Sequence, residues 1–266
     1  MKLSVLFRCA ALILFSSTLV LFPADAKKPV LLYSRYFNAP GEDRYSADTT
    51  FKQVIEKLRE HFDVRVDANP VTTKSLSDVR LILVANPSDK AVAGHSAPHH
   101  FGKQDINLLS SFVQRGGGLI VMANQENHNL DVEDTNKLLT KFGLQFTNRY
   151  TDAKKLVLAK DVPIIGGLRW AYYTGNQVLI ESGNSAHPRS LVTNDLNQKP
   201  AKGPRDEPGS LLAIAEPGRG RVIAVTDSGW IANFAFTEEG VGGVALKGQD
   251  NWEIFRRLAL WAAHAE

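Results

Sequence analysis

The residues of this chain best suited to chemistry gather at a strand end, in a histidine-rich loop and on an aromatic stretch. The strand end lies in Gly218 to Asn233, GRGRVIAVTDSGWIAN, where a β-branched apolar run stops at Asp227-Ser228-Gly229 and is followed by Trp230. A hydroxyl such as Ser228 becomes a nucleophile when a histidine takes its proton and an acid, here Asp227 or Glu126, orients that histidine. The same residues also suit a plain turn, with Asp227 and Ser228 capping it and Trp230 packing beneath. The loop Gly94-His95-Ser96-Ala97-Pro98-His99-His100, together with His128, offers neutral imidazoles of the kind that bind zinc. Their spacing matches no HExxH signature, and a solvated loop that merely contains histidines is the favoured reading. Trp170, Tyr172 and Tyr173 offer flat rings for stacking on a sugar face, or alternatively for packing one face of a strand into a core.

The elements that must position these groups read as alternating strands and helices. Pro29 to Tyr33, Val64 to Val66, Leu76 to Ala85, Leu119 to Ala123 and Arg221 to Thr226 are apolar, β-branched runs of strand length. Between them, Phe51, Val54, Ile55, Leu58 and Phe62 fall at helical spacing behind Asp48 as N-cap. Ile106, Leu109, Phe112 and Val113 do the same ahead of Gly116-Gly117-Gly118. Further helices are predicted over Val132 to Phe142, closed by Gly143, and over Trp252 to Ala263. This alternation predicts an α/β fold, a flavodoxin-like doubly wound and mostly parallel sheet, with Arg35, Asn86, Asn124 and Asp227 on one carboxyl edge. From Leu144 to Asp206 the pattern changes to short β-like runs broken by glycine pairs, which predicts a β-rich insertion ending in an exposed loop.

Composition narrows the function classes. The formal net charge is +3 with acids and bases interspersed, so no dense basic run marks a nucleic-acid partner. At the amino end, Lys2 and Arg8 precede an apolar stretch, and Ala24-Asp25-Ala26 has the small-residue spacing of a signal-peptidase site. The expectation is a signal peptide over residues 1–26, a domain over 27–266 with no membrane span after signal removal, and a periplasmic or secreted location. The one cysteine, Cys9, would leave with the signal, and with it any disulfide, thiolate metal site or cysteine nucleophile.

Three stretches, DINLLSSFVQRGGGLIVMAN (Asp105 to Asn124), Gly218 to Asn233 and NWEIFRRLALW (Asn251 to Trp261), resemble the class I glutamine-amidotransferase-like superfamily. More narrowly they are similar to its cysteine-less branch, which takes in a gliding-motility transport component, an intraflagellar transport subunit and domains attached to polysaccharide-degrading enzymes. Catalytic members of the superfamily carry a cysteine in the turn after the GGG-led strand. This chain has Ala123-Asn124-Gln125-Glu126 there, and an amide side chain has no ionisable group with which to attack a carbonyl. No GxSxG elbow replaces it.

The resemblance therefore implies the fold without the ancestral amide chemistry. The expected function is a non-catalytic domain, without cofactor, that binds a glycan or an envelope protein through Arg35, Asn86, Asn124, Glu126, Asp227 and Trp230. The competing expectation is a hydrolase of carbohydrate derivatives that works through Ser228 or through a metal held by His95, His99, His100 and His128.

Overall fold

In the computed structural model, residues 27–125, 127–197, 206–236 and 249–266 are described. The expected signal segment 1–26, Glu126 and part of the expected exposed loop, 198–205, lie outside the described residues. The chain forms β1 (Val30–Ser34), α1 (Lys52–Leu58), β2 (Asp63–Asp67), β3 (Val79–Ala85), α2 (Lys103–Gln114), β4 (Gly118–Met122) and α3 (Glu133–Leu139). Five short strands follow: β5 (Leu144–Phe146), β6 (Lys154–Val157), β7 (Arg169–Tyr172), β8 (Val178–Ile180) and β9 (Arg189–Thr193). β10 (Ser210–Ala215), β11 (Arg221–Val225) and α4 (Asn251–Ala262) complete the order.

The parallel part of the sheet runs β2-β1-β3-β4-β11, the strand order of the flavodoxin-like doubly wound fold. Side chains alternate across a strand, so each central strand feeds two cores. Leu31, Tyr33, Leu83, Ile120, Met122, Ile223 and Val225 face the core covered by α1 and α4. Leu32, Ile82, Val84, Leu119, Val121, Val222 and Ala224 face the core covered by α2 and α3. Burial on both faces is why these runs are continuously apolar rather than alternating. β1, β3, β4 and β11 end side by side, and the amides just past them extend the ladder, Asn86 N to Met122 O at 2.8 Å and Ala123 N to Val225 O at 2.7 Å. Arg35, Asn86, Asn124 and Asp227 therefore follow strands on one carboxyl edge, as the alternation predicts.

Beyond β11 the sheet turns antiparallel: β10 pairs with β11, β9 and β8, and β5 pairs with β8. The β-rich insertion thus supplies β5, β8 and β9 to the main sheet, while β6 and β7 form a separate antiparallel ribbon. Asn251, the first residue of α4, ties that ribbon down. Its Oδ1 accepts from Ala171 N at 2.9 Å, and its Nδ2 donates to Ala171 O at 3.0 Å and Trp230 O at 2.7 Å.

Two local expectations are corrected. Asp48 does not cap α1. Phe51 occupies the N-cap without a side-chain bond, and Asp48 Oδ1 instead accepts from Ser46 Oγ at 2.6 Å, closing a turn one step earlier. β3 begins at Val79, not Leu76, because residues 73–78 are spent on turns. Gly143 ends the helical segment as expected, with φ +69°, a left-handed conformation that a side chain disfavours.

Candidate functional site

A cleft of about 320 Å³ opens over the carboxyl edge, between the loop that follows β1 and the turns that follow β4, β7 and β11. Asn124, Gln125 and His128 come from the β4 turn, Tyr173 and Thr174 from the end of β7, and Asp227, Gly229 and Phe234 from beyond β11. Arg44, Tyr45 and Thr50 close the remaining side.

The polar groups of the cleft are wired to one another. Gln125 Nε2 donates to His128 Nε2 at 2.8 Å, and His128 Nδ1 donates to Asn124 Oδ1 at 2.8 Å, an arrangement that a neutral imidazole with its proton on Nδ1 satisfies. Asn124 Nδ2 in turn donates to the Tyr45 hydroxyl. Burial, reinforced by the negative charge of Asp227, pushes the Tyr45 phenol well above its usual range, so it stays a neutral hydrogen-bonding group. Asp227 is 2% exposed, and its Oδ1 accepts from Gly229 N at 2.6 Å. The apolar side of the cleft is the Tyr173–Phe234 pair, with ring centroids 5.2 Å apart in an edge-to-face arrangement.

The loop that carries Arg44 and Tyr45 is held from below by Arg35. Its Nη1 donates to Arg44 O at 3.2 Å and Tyr45 O at 3.0 Å, and its Nη2 donates to Glu42 O at 2.9 Å. The Tyr33 hydroxyl also donates to Tyr45 O, and burial pushes that phenol up to about 12 against the opposing pull of Arg35. Arg44 grips Glu42 with both Nε and Nη2 at 3.0 Å. Burial would raise the Glu42 carboxyl, but this two-pronged contact outweighs it and holds the group below its ordinary range.

The structure distributes the sequence-derived candidates unevenly. Asn124, Asp227 and His128 line the cleft, whereas Arg35 lies behind it and lines a separate depression with Tyr36, Asn38 and His99. Glu126 lies outside the described residues. Asn86 is wholly buried with φ +45°, and its Nδ2 donates to His128 O at 3.0 Å, so it braces the site from inside and presents nothing to a ligand. Trp230 is likewise buried, edge-to-face with Trp170 at 5.3 Å and Phe255 at 5.8 Å. It anchors the turn in the core.

Of the expected aromatic platform only Tyr173 reaches the cleft. Trp170 and Tyr172 have no exposed surface, and Tyr172 bonds with Thr226 Oγ1 at 3.1 Å beneath it. Ser228 is also without exposed surface, and its hydroxyl donates to Ala123 O at 2.8 Å and Met122 O at 3.2 Å, the geometry of a turn clamp.

The histidines do not meet at one point. His99 stacks on Tyr36 at 4.1 Å and bonds Asp105 at 3.0 Å, His100 faces Asp131 and Asp134, His95 lies over Gly41, and His128 serves the cleft. They sit on different sides of loops that the sheet edge spreads apart.

Arg44, Tyr45, Thr50, Gln125, Thr174 and Phe234 were missed by sequence reasoning. Gln125 had a signal, since it stands in the turn where catalytic relatives of the superfamily carry cysteine. Tyr45 is held at φ +60°, which no sequence pattern announces for a tyrosine.

A family model for the IFT52 GIFT domain matches residues 35–184, more than half of the chain and including the β1 loop and the β4 turn of the cleft. The chain belongs to the IFT52 GIFT domain family. Intraflagellar transport protein 52 homologs from Mus musculus and Homo sapiens are each 22% identical over 112 residues, 42% of this chain. Those residues span about a quarter of the curated relatives, 24% and 23% of their lengths.

Among solved structures, the mmIFT52 N-terminal domain superposes with a TM-score of 0.63 at 15% identity, covering 88% of this chain and 97% of that one. A putative ThuA-like protein from Parabacteroides merdae gives a TM-score of 0.52 at 16% identity, covering 91% of both chains. The GIFT-type chain thus has the amidotransferase-like α/β fold that the sequence resemblance implies.

The same relatives correct the expected location. Both are proteins of transport within the flagellum, and a periplasmic or secreted destination does not fit that family. A basic, then apolar, then small-residue amino end is too short and generic a pattern to outweigh it. Among the described residues, no helix is long and apolar enough to cross a membrane.

Proposed function

We propose that this chain is a non-catalytic recognition domain that takes the end of a glycan into the carboxyl-edge cleft. The observation that carries this reading is the pairing of Tyr173 and Phe234 on one wall with Asp227, Asn124 and Arg44 around them. Aromatic rings cover the apolar faces of a sugar, while carboxylate, amide and guanidinium groups exchange paired hydrogen bonds with its hydroxyls. The volume lies at the small end of the range of about 300–1,000 Å³ for small-ligand sites, which suits a terminal sugar better than a long chain.

The reading as non-catalytic is supported by the chemistry of the turn after β4. Asn124 and Gln125 are engaged with Tyr45 and His128, and neither can form a covalent intermediate. The hydrolase alternative is weakened by the commitment of the Ser228 hydroxyl to two backbone carbonyls. A second reading, a protein partner in place of a glycan, is favoured by the family match alone, since the curated relatives are named for a transport assembly.

Glycan-array binding followed by calorimetric titration tests the proposal. Asp227→Asn is expected to weaken a hit at least tenfold while leaving Tm within a few degrees, because the asparagine amide retains an oxygen for the Gly229 N–H. Tyr173→Ala is expected to weaken it as much, but at a cost in Tm, since Tyr173 is also packed in the core. Absence of any array hit, or parent-like affinity in a folded Asp227→Asn variant, refutes glycan binding at this cleft.

A further inference from the structure

Where the loop before α2 meets the start of α3, His100, Asp131 and Asp134 point their polar atoms at one another. His100 Nδ1 is 3.0 Å from Asp134 Oδ2 and 3.6 Å from Asp131 Oδ2, and one ligand-type atom from each residue lies within 4.8 Å of those of the other two. We propose that these three residues form a site for a divalent transition-metal ion of the zinc type. None of them lines the cleft, so the proposal stands apart from glycan recognition.

The two separations from His100 are those of ligands around a common ion. Two donor atoms about 2.1 Å from a metal stand roughly 3.0 Å apart at a right angle and roughly 3.4 Å apart at a tetrahedral angle. The two measured separations need only small adjustments to meet that geometry. One imidazole with two carboxylates suits zinc or a neighbouring first-row ion, whereas magnesium and calcium prefer oxygen-only shells.

A simple ion pair leaves part of this arrangement unexplained. The proton on His100 Nδ1 serves Asp134 at hydrogen-bond distance, and 3.6 Å is beyond a hydrogen bond to Asp131. Asp131 is 3% exposed, and its Oδ2 is buried without a hydrogen bond, while its Oδ1 accepts from Asp134 N at 3.0 Å. A buried carboxylate oxygen without a donor is costly, and a cation between the three atoms removes that cost.

The surrounding residues prepare the site. Phe101 stacks on Phe37 with centroids 3.9 Å apart and His99 on Tyr36, which fixes the loop on both sides of His100. Lys137 pairs with Oδ1 of Asp134, leaving Oδ2 turned toward the histidine.

The test is zinc chloride titrated into the EDTA-treated full chain by calorimetry, with magnesium chloride in parallel and Tm recorded with and without metal. The expected result is saturable uptake of one zinc per chain, a raised Tm with zinc and little response to magnesium. Asp131→Asn and His100→Ala should each lose at least tenfold in zinc affinity, and His95→Ala should bind as the parent does. Circular dichroism identifies any variant that fails to fold, and the other variant then decides. No saturable zinc uptake by the parent chain, or parent-like affinity in a folded Asp131→Asn or His100→Ala variant, overturns the proposal.

Discussion

Replacing Asp206 with alanine should destabilise this protein more than any surface substitution, because it strands a buried ammonium. The Lys154 side chain has no exposed surface and that of Asp206 is 7% exposed, and they form a direct ion pair. Lys154 Nζ also donates to Asp195 O at 2.6 Å. Asp206 Oδ1 accepts from Asp152 N at 3.1 Å and from Asn194 Nδ2 at 2.7 Å. Asp206→Ala therefore removes the counter-charge and an acceptor that serves two donors, leaving Lys154 with one carbonyl among the described residues. Breaking a buried pair in this way costs about 3–5 kcal/mol. For a domain of this size that corresponds to a fall in Tm of roughly 6–20 °C. Lys154→Met combined with Asp206→Asn should recover much of the loss, since asparagine keeps the Oδ1 acceptor and no charge remains to be solvated. Urea unfolding of the parent, Asp206→Ala, Lys154→Met, Asp206→Asn and the double variant measures the loss and, from the last three, the coupling. A cost below about 1 kcal/mol for Asp206→Ala, the level of a solvated pair, would refute the reasoning.

Three further outcomes follow from the packing and the charges. Gly220→Ala should cost about 1–3 kcal/mol by urea unfolding, because an added Cβ would meet Val113 O at 1.9 Å and Gly117 O at 2.6 Å, both backbone atoms that cannot swing aside. Asn86→Ala should cost about 1–3 kcal/mol, since the alanine must hold φ +45° and the bond to His128 O is lost, and Asn86→Gly should recover the backbone part of that cost. Hydrogen bonds from Arg256, with those from Arg257, outweigh burial and draw the Glu253 carboxyl down from 4.5 to about 2. The stability this contributes is present above the unfolded value and is lost as pH falls toward the folded one. Glu253→Gln should then lower stability at pH 7 by no more than about 1 kcal/mol, given its exposure, and match the parent near pH 2 in paired denaturant titrations.

The fold was more legible than the site, for reasons that particular residues show. β1, β3, β4 and β11 are covered on both faces, so each leaves an uninterrupted apolar run of strand length, and Gly143 marks a helix end because its left-handed backbone favours glycine. The short strands after Leu144 declared themselves as β-rich but not as partners of β10, since pairing across the chain leaves no periodic trace. At the site, position along the carboxyl edge brings Asn124 and Asp227 to the lining of the cleft but does not show which edge residues are packed away from it. Trp230 and Asn86 look like ligand contacts in one dimension, yet both are filled in by neighbours from distant segments. Tyr45 and Phe234 stand in loops with no regular spacing, and only the folded backbone brings them to Asp227.

The hold of Arg35 on the loop over the cleft has a consequence for how this surface can change. Its donors go to the carbonyl oxygens of Glu42, Arg44 and Tyr45, atoms that every amino acid possesses. The Arg44 side chain can therefore be exchanged without releasing these backbone ties, whereas exchange of Glu42 gives up one further tie to the backbone, the bond its Oε1 accepts from Arg44 N. Substitution in that loop can thus change the chemistry of the cleft wall while the path of its backbone persists.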